Sequence, residues 1–95
     1  MNKIINRYLD FEFLNIKHQK SSFSDKVEFW LDVDNRYVFQ KCWPGNSERI
    51  YISARYFDRI QNMFGISSLK TISIIDKWIR DNLNIEYICI VKGCP

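Results

Sequence analysis

An α+β fold is predicted by three features of this sequence. Lys26 to Trp43, KVEFWLDVDNRYVFQKCW, alternates as a β-hairpin, two amphipathic helical patterns follow one another late in the chain, and Ile85 to Val91, IEYICIV, is apolar on both faces. Helices that come together, instead of alternating with strands, argue against a doubly wound parallel sheet. The expected architecture is an antiparallel or mixed sheet of about four or five strands. Two consecutive helices, about 54–64 and 69–83, pack on one face, and a C-terminal strand, 85–91, is placed centrally.

From the N-terminus, Ile4, Ile5, Tyr8 and Leu9 have helical spacing, while Phe11, Phe13, Leu14 and Ile16 read as a strand with a bulge; a short helical turn entering strand one is expected. Lys17 to Asp25, KHQKSSFSD, is polar and Ser-rich apart from Phe23, and reads as a loop.

In the hairpin, a three-residue loop of Val33, Asp34 and Asn35, with Asn35 left-handed, sets Asp32 opposite Arg36. Val27, Phe29 and Leu31 then share a face with Tyr37, Phe39 and Trp43, which is the expected core side. Lys26, Glu28, Trp30, Asp32, Arg36, Val38 and Gln40 take the other side.

Pro44 to Ser47 marks a turn, and Arg49 to Ile52 a short third or edge strand with Ile50 and Ile52 alternating against Arg49 and Tyr51. Ser53 reads as the N-cap of a helix over 54–64 whose stripe is Phe57, Ile60 and Phe64, with Gly65 as its left-handed stop. Ser67 or Ser68 caps the next helix, with Leu69, Ile72, Ile75, Ile79 and Leu83 as its stripe, Ile74 and Trp78 widening it, and Asp76 paired to Arg80 outside. The apolar run 85–91 then suggests a strand covered on both sides.

A chain of 95 residues supports one core, so a single domain over 1–95 is expected. With 46% hydrophobic and 16% aromatic residues, and only three Gly and two Pro, a disordered or collagen-like class is excluded. No apolar run approaches the roughly 20 residues that span a bilayer. Met1 to Asp10 lacks the apolar centre and cleavage site of a signal peptide. Cys42, Cys89 and Cys94 cannot all pair within the chain and have no CxxC spacing; Cys89 reads as a small buried hydrophobe and Cys94 as exposed. A cytoplasmic location without membrane association is expected.

Catalytic chemistry finds little footing. His18, the one histidine, lies in or beside a polar loop with no nucleophile–histidine–acid arrangement at a recognisable spacing. Asp32 and Asp34, with Glu28, lack the further oxygen ligands and the glycine of a calcium loop, so turn chemistry explains them and no metal or cofactor is expected. The net charge of +3 is modest and the basic residues are scattered.

Two surfaces remain. Trp30, with Glu28, Asp32, Asp34, Arg36 and Val38 around it, either combines an aromatic with a charged rim, as at protein interfaces, or is covered by strand one or the N-terminal segment as a minor core. The expected function is a non-enzymatic, intracellular protein-binding module. Its concrete form is an immunity or inhibitor protein that covers the active site of a toxin or host enzyme with this surface. The abundance of Ile, Asn and Lys fits an AT-rich gene, as found in accessory loci such as toxin–immunity cassettes. The alternative is a small nucleic-acid-binding or regulatory protein using Arg49, Arg55 and Arg59, with Tyr51 and Tyr56 to stack on bases. Homodimerisation through an uncovered strand edge is a third reading.

Overall fold

The hairpin forms with the expected tip: Asp32 N–H donates to the Arg36 carbonyl at 2.9 Å, and Asn35 takes φ 62°. The computed structural model describes residues 2–22, 27–42 and 48–94, and the backbone alone at Asn2 and Cys94. The expectations for Lys26, Phe23, Trp43, the turn at 44–47 and the Cys94 side chain fall outside the described residues. In chain order the elements are α1 (Asn2–Glu12), β1 (Lys17–Lys20), β2 (Glu28–Leu31), β3 (Tyr37–Cys42), β4 (Arg49–Ser53), α2 (Ala54–Phe64), α3 (Ser68–Asn82) and β5 (Cys89–Cys94).

The five strands make one mixed sheet in the order β1-β2-β3-β4-β5, so the α+β class holds. β1 to β4 form an antiparallel meander, and β5 joins β4 in parallel after a crossover through α2 and α3. β5 therefore lies at an edge, not centrally, and begins at Cys89, not Ile85. Its apolar run is divided: Tyr87 ahead of the strand is buried, and its hydroxyl donates to Asp76 Oδ1 at 2.6 Å on α3. The Arg80 guanidinium lies 4.1 Å over the Tyr87 ring and pairs with Asp76 at 3.1 Å, as the i, i+4 spacing predicts. Cys89 is exposed, against expectation, because it pairs with Arg49 and faces away from the helices, whereas Ile90 beside it turns inward and is buried.

The N-terminal segment is a full helix, not a turn running into a strand. Ile5 and Leu9 at i, i+4 are buried, and Phe13 just past the helix inserts between Phe39, at 5.1 Å, and Trp78, at 4.9 Å. Phe11 and Leu14 are left outside. Lys17 to Lys20, expected as loop, pairs as the exposed edge strand β1.

α2 and α3 keep nearly the expected bounds. Gly65 ends α2 at φ 59°, and the Ser67 hydroxyl accepts the Lys70 N–H at 3.1 Å. Ser53 holds the N-cap position of α2 without a side-chain cap bond. Ile75, Trp78 and Ile79 are buried with Phe57 and Ile60, whereas Leu69 stands in the first turn of α3 and is exposed. Ile50 and Ile52 alternate inward from β4, which is flanked by β3 and β5 and is not an edge.

Beyond the tip, the hairpin departs from the expected register. Leu31 faces Tyr37, but the next pair is Trp30 with Phe39, so Val38 is an extra residue, a β-bulge. The bulge moves Phe39 onto the face of Trp30, and that face is the one covered by the helices. Trp30, Val38 and Phe39 belong to the core, while Phe29 is half-buried and Tyr37 is 40% exposed. The expected core and outer sides are thus exchanged at Phe29 and Trp30, while Leu31 and Phe39 are buried as expected.

Candidate functional site

Asp32, at the start of the hairpin loop, organises a concavity between the tip and α2. Its Oδ1 accepts the Asp34 and Arg36 N–H groups at 2.8 and 3.0 Å, the Asx geometry that fixes a tight turn. Its Oδ2 accepts the Tyr56 hydroxyl at 2.7 Å, which joins the tip to α2. Partial burial raises the Asp32 pKa, but bonds from the Arg36 amide, the Tyr56 hydroxyl and the Asp34 amide outweigh it and hold the carboxyl below its ordinary range. Burial, and then the bond to Asp32, push the Tyr56 phenol up to about 12.

Between the tip and α2 lies a cleft of about 270 Å³, closed on the third side by Glu12, Asn15 and Ile16 at the end of α1. Arg36, Arg55 and Arg59 enter it with Asp32, Val33 and Asp34. Arg59 pairs with Glu12 and lies 5.0 Å from the centre of the Tyr56 ring. Asp34, Arg36 and Arg55 are exposed and make no ion pair with another described residue. Two residue sets that are far apart in sequence, one expected to bind protein and the other nucleic acid, thus meet at one place: Asp32, Asp34 and Arg36 with Arg55, Tyr56 and Arg59.

The other expected site residues are elsewhere. Trp30 is 3% exposed and cannot serve as a surface anchor, and Val38 is wholly buried. Glu28 is bound inward: its Oε1 lies 2.8 Å from His18 Nε2, and Lys41, itself buried, lies 3.9 Å away and 3.8 Å from Glu48. His18 is exposed, but it lies on strand β1 and not in a loop, and it stacks on Trp30 at 4.8 Å with rings 14° from parallel. Tyr56 is buried and cannot offer its ring to a base. Arg49 and Tyr51 point from β4 to the opposite face of the sheet from Ile50 and Ile52, away from Arg55 and Arg59.

Sequence reasoning missed Phe11, Leu14 and Val33 as surface residues: they are 77%, 70% and 64% exposed. Phe11 and Leu14 adjoin the cleft residues Glu12 and Asn15 in sequence, and Val33 lines the cleft itself. Val33 was placed in the hairpin loop without weight as a contact residue, and Phe11 and Leu14 were read as part of a bulged strand with Phe13 and Ile16. Burial pushes the Cys42 thiol up, with Arg49 opposing, so it is not an activated nucleophile.

No group of three or more His, Cys, Asp or Glu among the described residues is placed to hold a metal ion, and none of their helices is long and apolar enough to cross a membrane. Comparison with protein families, with curated proteins and with solved structures yields no match.

Proposed function

We propose that the protein is a non-enzymatic protein-binding module whose contact surface is the cleft at the hairpin tip, with an inhibitor or immunity protein that covers a partner's active site as its concrete form. One observation carries the reading. The exposed apolar side chain of Val33 lines the cleft together with two guanidinium groups and a carboxylate, Arg36, Arg55 and Asp34, that have no ion-pair partner among the described residues. Apolar anchors within a rim of arginine and acid are the composition of binding hot spots.

The tip is suited to wedge into a partner's cavity. Asp32 fixes the loop from three donors, so Val33 and Asp34 are held in place before binding and little ordering entropy is lost. Arg36, Arg55 and Asp34 would supply charge pairing, which speeds encounter and selects the partner. An intracellular setting accords with the free thiols of Cys42 and Cys89.

The experiment is recovery of a partner from the native host with wild-type protein and with Val33→Asp, both of unchanged Tm. Loss of the recovered partner in the variant, and stoichiometric inhibition of that partner if it is an enzyme, support the reading. Equal recovery by both proteins contradicts it.

A further inference from the structure

The helices cover one face of the sheet, and no described helix covers the other. Strand register places a single row across that other face: Gln19, Phe29, Gln40, Tyr51 and Val91 lie side by side from β1 to β5. Tyr37 adds a second ring, stacked on Phe29 at 5.1 Å, and is the more exposed of the two. Lys17 flanks the row on one side, where it pairs with Leu31, and Arg49 on the other, where it pairs with Cys42. By strand alternation, no Asp or Glu of the five strands falls on this face; Glu28 points to the other.

We infer that this face binds single-stranded nucleic acid. Each part of the row answers a part of that ligand. Phe29 and Tyr51 stand two strands apart, roughly 9.5 Å, so two bases can stack with the Gln40 amide between them. Lys17 and Arg49 pair with phosphates, and among the strand residues of this face there is no carboxylate to repel a polyanion.

A depression of about 300 Å³, lined by Gln40, Cys42, Tyr51 and Gly93, opens beside the row at Gln40 and Tyr51. Gly93 has no side chain to close it, and its φ of 119° is strained for any other residue. A protein partner fits this face less well, because the row alternates amides with rings and offers no contiguous apolar patch or opposed charges. This surface is separate from the tip cleft, and each can fail without the other.

The test is fluorescence anisotropy with labelled single-stranded DNA and RNA pools of about 12 nucleotides. Binding is expected at low salt, tighter than to duplex of the same sequence. With two phosphate contacts, affinity should fall about sevenfold between about 50 and 200 mM salt. Tyr51→Ala should weaken binding roughly tenfold or more, and Tyr51→Phe, which keeps the ring, should retain it. Arg49→Glu should weaken binding, whereas Lys70→Glu, the same charge change on exposed α3, should not. If Tyr51→Ala does not fold, Tyr37→Ala takes its place. Absence of binding at low salt, equal loss from Arg49→Glu and Lys70→Glu, or unchanged affinity in a folded Tyr51→Ala or Tyr37→Ala overturns the inference.

Discussion

The Tyr56 hydroxyl donates to Asp32 Oδ2 at 2.7 Å, and this one bond locks the hairpin tip onto α2 across a separation of 24 residues. Asp32 is also the acceptor for two backbone amides of its own loop. Loop geometry and cleft geometry therefore depend on the same carboxylate.

Removing either partner should loosen the tip. Tyr56→Phe is expected to lower stability by about 1.5 to 3 kcal/mol, the range for a hydrogen bond to a charged group, and Asp32→Ala by at least as much. Urea denaturation of both variants and of the double variant checks this. Because the two residues share a bond, their effects should be less than additive.

Asp32 should also contribute to acid sensitivity. Its folded pKa is depressed, so its stabilisation is complete above the ordinary value of 3.8 and is lost as pH falls through the folded value. The stability advantage of wild type over Asp32→Asn is therefore expected to be constant near neutrality and to shrink below 3.8. A constant difference through the acid range would contradict the role given to the carboxylate.

On the alkaline side the sign is reversed. The Tyr56 phenol is raised from 10.0 to about 12, so its contribution is complete below 10 and is lost as pH rises toward 12. Tyr87 is shifted in the same direction, by burial first and then by its bond to Asp76. Wild type should lose its advantage over Tyr56→Phe within that window, read from urea midpoints.

Trp30 supplies a direct test of the bulged register. As a core residue it should cost about 3 to 5 kcal/mol on truncation to Ala. An outward-facing Trp30 would cost within about 0.5 kcal/mol. Denaturation midpoints separate the two by a wide margin.

That residue also marks how far the sequence can be read. The tip was legible because Asn35 tolerates a left-handed conformation and Asp32 suits an Asx turn, which are local preferences. The bounds of α2 and α3 were legible from Gly65, Ser67 and the apolar stripe. The Val38 bulge was not, because one extra residue changes the face of a strand without changing composition. Its one trace is the run Tyr37-Val38-Phe39, where alternation slips.

β1 was missed because KHQK carries no apolar pattern, and its four residues are exposed at an edge. The edge position of β5 was missed because Tyr87 is buried under α3 before the strand begins, so a run that looks doubly covered owes its burial to two different places. The cleft itself joins residues from α1, the hairpin and α2, and no local pattern announces such a meeting.

The central claim, that the hairpin tip contacts a protein partner, is tested most directly by a photo-crosslinking amino acid placed at Val33 and, as a control, at the still more exposed Leu69, in cells of the native host. A discrete crosslinked adduct from position 33 and none from position 69 is the expected result. No adduct from position 33, or the same adducts from both positions, would contradict it.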